Sequence, residues 1–66
     1  MYTECLIQFI DDSSEIYAII KADETLDDRD ELIFFYGLSR NDLIMGMKNG
    51  VIFENEWKVI SVGKTW

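Results

Sequence analysis

YTECLIQFIDDSSEIYAIIK, residues 2–21, reads as two strands joined by a turn, and that reading decides the fold. In 2–10, Cys5, Ile7 and Phe9 share one face, while Glu4 and Gln8 lie opposite with Leu6 between them, the two-residue period of a strand. DDSS, residues 11–14, is a run whose side chains bond their own backbone, as turns require. EIYAIIK, residues 15–21, resumes the strand pattern. The pair predicts a β-hairpin with a loop of about four residues.

Following the chain outward, ADETLDDRDE (22–31) places six carboxylates and one arginine in ten positions. DELIFFYG (30–37) then turns apolar, with Leu32, Phe34 and Tyr36 on one side and Ile33 and Phe35 on the other. A strand apolar on both faces belongs in the middle of a covered sheet. LSRNDLIMGMKNG (38–50) carries the helix signals: Ser39 as N-cap, Asp42 three residues later as its capping-box partner, and Leu38 with Leu43 as a hydrophobic staple. Gly50 can take the left-handed conformation that ends the helix. Leu43, Ile44 and Met47 form the apolar stripe. Gly46 costs about 1 kcal/mol against alanine inside a helix, which points to close packing there. VIFE and WKVISV, on either side of Asn55-Glu56, read as two more strands.

The order β-β-β-α-β-β predicts one small two-layer α+β domain over residues 1–66. Its mostly antiparallel sheet has about five strands, with one short helix on one face. Such a helix covers only part of the sheet. Leu6, Tyr17, Ile19 and Phe35, with some of Ile60 and Val62, are expected on the uncovered face, where a homodimer contact or a partner protein would shield them. Sheet curvature together with Trp66 is the alternative cover.

Charge is placed unevenly in this chain of 66 residues and net charge −7. Residues 11–31 hold nine acids (Asp11, Asp12, Glu15, Asp23, Glu24, Asp27, Asp28, Asp30, Glu31) against Lys21 and Arg29, so this segment alone carries −7. The rest is neutral. With 48% hydrophobic and 14% aromatic residues, the composition is that of a folded globule. Its size allows only about 60% of the unfolded surface to be buried.

Several activities are excluded or disfavoured. One cysteine, Cys5, permits no internal disulfide, and without His or a second Cys there is no cysteine-based zinc site; a buried thiol in a reducing cytoplasm is expected. Met1 leads into a strand without a basic leader, and no apolar run reaches the roughly 20 residues of a membrane span. An EF-hand register from Asp23 meets Asp28 where Gly is needed and Phe34 where Glu is needed; one from Asp28 meets Leu32 at a ligand position. An irregular cation site on Asp27, Asp28 and Asp30 is the residual metal reading. GKT (63–65) lacks the earlier glycine of a phosphate loop, since that position is Lys58. No His supplies a base near neutrality, and no cofactor pattern is present, so the chain reads as non-catalytic. Its six basic residues are scattered singly, against direct nucleic-acid binding.

What remains is a binding surface. Acids at alternate strand positions can present a row of negative charge to a basic cleft built for phosphates. The expected acidic face is Asp23, Glu24, Asp27, Asp28, Asp30 and Glu31, with Tyr17 or Leu26 as an apolar anchor. Its partner is a basic protein, and the chain an inhibitor that imitates nucleic-acid charge. The competing expectation is a homo-oligomeric or complex subunit using Leu6, Tyr17, Ile19 and Phe35, with the acids only solubilising. No motif names a family. In being short, acidic and without an active-site pattern, the chain is similar in general look to small acidic α+β inhibitors encoded by phages and mobile elements, a likeness that assigns no residue a role.

Overall fold

Strand β1 (Tyr2–Phe9) and strand β2 (Glu15–Lys21) form the antiparallel hairpin that the alternation predicts. The computed structural model describes residues 1–25 and 35–66. Cys5 stands opposite Ala18 and Ile7 opposite Ile16, so the apolar sets of both strands share one face. Asp12 shapes the turn. Its carboxylate accepts from the Ser14 backbone N–H at 3.0 Å and the Ser14 hydroxyl at 2.7 Å.

The helix α1 spans Arg40–Asn49. Ser39 caps it as expected: its hydroxyl accepts from the Asp42 N–H at 3.2 Å, and Asp42 accepts from the Ser39 N–H at 2.9 Å. Gly50 ends the helix at φ 67°. Leu43 and Gly46 are its buried residues, and Leu38 and Met47 also pack on the core. Gly46 has a specific cause: a Cβ there would sit 2.4 Å from the Phe53 ring.

Both bonded carboxyls titrate below the ordinary 3.8. Asp42 is lowered first by the Ser39 backbone N–H and then by its hydroxyl, Asp12 first by the Ser14 hydroxyl and then by its N–H. A depressed carboxyl adds stability that is present above the unfolded pKa and is lost as pH falls through the folded one. Thermal melts from about pH 6 to 2 should show Tm dropping below about pH 4, and dropping less in Asp12→Asn/Asp42→Asn. Equal slopes for the variant and the parent would remove these two groups from the acid response.

Strand β3 (Phe35–Tyr36) and strand β4 (Trp57–Thr65) complete the sheet, in the order β3-β2-β1-β4. Two expectations are corrected here. Among the described residues the sheet has four strands where about five were expected; it is mostly antiparallel as expected, with β3 parallel to β2. Residues 30–34 of the expected third strand lie outside the described residues, and Phe35–Tyr36 sit at the sheet edge, not in its middle. VIFE is no strand. Glu54 and Asn55 both take positive φ, 54° and 58°, so the chain reverses at once, leaving Phe53 with a single bridge to Trp57. Stacking between Phe53 and Trp57 at 4.8 Å ties this turn to β4, and the Phe53 ring lies against Gly46 of the helix.

The core lies between α1 and one sheet face: Cys5, Ile7, Ala18, Ile20, Leu43, Trp57 and Val59. β4 reaches it through two register shifts. Ile7 pairs with Val59 but Leu6 with Ser61, so Ile60 is an extra residue; likewise Glu4 is opposed by both Gly63 and Lys64. The first shift turns Val62 to the core side, where strict alternation had placed it on the open face. The Arg40 guanidinium donates to the Gly63 carbonyl and, at 2.8 Å, to the Thr65 hydroxyl, tying the helix start to this edge strand.

Candidate functional site

Two kinds of surface were expected to carry function, and the fold separates them. Asp11 and Asp12 occupy the turn before β2, while Asp23 and Glu24 follow its end. The seven residues of β2, at about 3.3 Å each, hold the two groups roughly 20 Å apart. They do not converge. Instead the Ile10 N–H donates to the Glu56 carbonyl at 2.8 Å, joining the first turn to the turn before β4. That contact gathers Asp11, Asp12, Glu54 and Glu56, all exposed, at one end of the sheet.

At the other end, Asp23 accepts from the Thr25 N–H at 3.0 Å and lies 3.6 Å from the Lys21 ammonium. Lys21 also donates to the Thr25 carbonyl. Glu24 lies over Gly37, where φ is 81° and a Cβ would stand 3.1 Å from its carboxylate oxygen. Asp27, Asp28, Asp30 and Glu31 lie outside the described residues, as does Leu26. Among the described residues, no three carboxylate or thiol groups are placed to hold a metal ion.

Three of the four expected apolar residues come together. Leu6 pairs with Tyr17, and Ile19, pairing with Glu4, points the same way, on the face opposite α1. Tyr17 is 71% exposed; Ile60 beside Leu6 is 39% exposed. Phe35 is the exception. It stands in register with Ile20, so it faces the core, its ring 4.5 Å from that of Trp57. Trp66 does not cover the middle of the face, since its ring sits 5.9 Å from Tyr2 near the chain ends.

The open face also holds charges that sequence reasoning left out. Gln8 pairs with Glu15 on one side and Lys58 on the other, and Lys64 stands opposite Glu4. Lys21, which pairs with Tyr2 on the same side, is buried and engaged with Asp23 and Thr25, so among the described residues the face presents two lysines against two glutamates. Alternation places Lys58 on this face once β4 is assigned. Its neighbours needed the strand order, which no local pattern encodes.

Cys5 is a buried thiol. Burial first, and the neighbouring Glu4 second, push it up to about 11, so it stays protonated near neutrality and is a poor nucleophile. Among the described residues no helix is long and apolar enough to cross a membrane. Compared with protein-family models, curated proteins and solved structures, the chain matches none, so its functional reading rests on its own residues.

Proposed function

We propose that this chain is a small, non-catalytic protein-interaction module of the cytoplasm that captures a basic partner protein through its acidic ends. The observation that carries this reading is the segregation of charge. Asp11, Asp12, Glu54 and Glu56 gather at one end of the sheet, and Asp23 and Glu24 lie at the other. The face between them is nearly neutral.

In its sharper form the module is an inhibitor. Its carboxylates (Asp23, Glu24, Asp27, Asp28, Asp30 and Glu31) take the place of nucleic-acid phosphates in a basic cleft. Electrostatic capture of this kind is fast and strongly salt dependent.

Affinity capture from native lysate, washed at about 0.05 and 0.5 M salt, tests the reading. A partner should be retained at low salt, released at high salt, and lost with Asp27/Asp28/Asp30→Asn. An acidic pole at 11–12 and 54–56 predicts a second partial loss with Asp11/Asp12→Asn. A partner indifferent to both salt and these changes would sink electrostatic capture. The second reading is a homo-oligomeric or complex subunit, favoured by Leu6, Tyr17 and Ile19 sharing the face left open by α1.

A further inference from the structure

We infer that the open sheet face is a two-fold interface with a second copy of this chain, its axis running along β1; this deepens the second reading above. The first support is charge. Among the described residues the open face sets Lys58 and Lys64 against Glu4 and Glu15 and sums to zero, while the other described residues sum to −4. Two copies meeting through their acidic ends repel. Two copies meeting through this face do not.

The second support is the order of residues across the face. The row Glu15–Gln8–Lys58 runs from β2 through β1 to β4. A two-fold rotation about an axis along β1 exchanges β2 with β4 between copies. Glu15 of each copy then faces Lys58 of the other, twice. In the next row Tyr17 faces Ser61 and the bulged Ile60 beside it, twice, and Leu6 meets its own equivalent. One row on, Ile19 lies against the Lys64 stem. There the two Glu4 carboxylates approach each other with a Lys64 opposite each. Aligned sheets cross at about 30°, which displaces these rows by only a few ångströms near the axis, within reach of Glu and Lys.

An axis running across the strands would instead set Glu15 against Lys21. Lys21 is 6% exposed and already engaged with Asp23 and the Thr25 carbonyl, so the axis along β1 is preferred. Addition at the β4 edge is also disfavoured, because β4 is bulged twice and Arg40 occupies the Gly63 carbonyl.

Area sets the expected strength. The three strands that overlap, β2, β1 and β4, at about 4.8 Å each and seven residues at about 3.3 Å give a projected face of roughly 330 Å², or about 670 Å² for two copies. That is below the roughly 1,000 Å² of a stable specific interface, so the dimer is expected to be weak and transient, with Kd of about 100 µM.

Sedimentation equilibrium from about 1 µM to 1 mM tests the arrangement. The full chain should pass from monomer to dimer, and Tyr17→Asp should stay monomeric with an unchanged thermal melt. Lys58→Glu should weaken association about tenfold, since each substitution turns two attractive contacts repulsive. Glu15→Lys should do the same. The double variant Glu15→Lys/Lys58→Glu should restore association to near the original strength. A chain still monomeric at about 1 mM would overturn both this interface and the oligomer reading. A dimer indifferent to the charge reversals, or not restored by the double variant, would overturn this interface alone and leave that reading standing.

Discussion

Trp57→Ala is expected to remove a third or more of the domain's folding stability. Trp57 is fully buried and is the largest side chain in the core. Its ring lies between Phe35 at 4.5 Å and Phe53 at 4.8 Å, so it joins β3, the turn after the helix and β4. Truncating a buried aromatic to alanine costs about 3–5 kcal/mol. A domain of this length has a total stability of about 3–10 kcal/mol, so the loss takes a third of it or more.

Trp57→Phe should behave differently. The indole N–H is buried with no hydrogen-bond partner among the described residues, and an unsatisfied buried donor costs about 1–3 kcal/mol. Phenylalanine forfeits ring volume but removes that penalty, so its net cost should be under about 2 kcal/mol. Urea unfolding followed by circular dichroism separates the two variants. A parent-like midpoint for Trp57→Ala would show that the three-ring stack does not hold the core together. A phenylalanine variant as unstable as the alanine one would show that the orphan N–H carries no penalty.

Gly46→Ala should change sign with its background. In an ordinary helix interior, alanine is better than glycine by about 1 kcal/mol. Here the new methyl would stand 2.4 and 2.6 Å from two atoms of the Phe53 ring, and Trp57 stacks on that ring at 4.8 Å. Overpacking of this kind costs about 1–3 kcal/mol, so the substitution should destabilise the parent. In Phe53→Ala the obstacle is gone, and Gly46→Ala should stabilise by about 1 kcal/mol. The four urea midpoints of this cycle should therefore give a coupling energy of about 2 kcal/mol. Additive effects would mean that Phe53 yields without resistance, and that the glycine has another cause.

These two sites mark how far local reading reached. The helix was legible almost to the residue. Its signals, Ser39 with Asp42 at one end and Gly50 at the other, act within one turn of chain. The glycine at 46 announced close packing, but Phe53 as the neighbour was not legible, because it lies beyond the helix in what looked like a strand. The hairpin was equally legible, since period-two alternation and a self-bonding turn are both local. The candidate surfaces were legible in part. Leu6, Tyr17 and Ile19 share the open face as their spacing implied, and the acids stand out in composition alone.

Phe35 and Val62 show where alternation fails. A period of two says that neighbours point to opposite faces; it does not say which face is covered. For Phe35 that choice belongs to the parallel register beside Ile20, and for Val62 to the extra residue Ile60 in β4. Both are properties of strand pairs. The same holds for charge. Lys58 and Glu15 are far apart in the chain, and only the order β2-β1-β4 sets them on either side of Gln8.

By itself, then, the sequence determined the elements that depend on nearby residues: a hairpin, a capped helix, a protected thiol without a partner, and an acidic middle segment. Tertiary structure alone decided that β3 lies parallel at an edge, that the two acidic ends stand about 20 Å apart, and that the face between them is nearly neutral. The reason is one of range. Capping, turns and periodicity are set by hydrogen bonds and sterics within a few residues, whereas strand order and register minimise exposed apolar area over the whole chain at once.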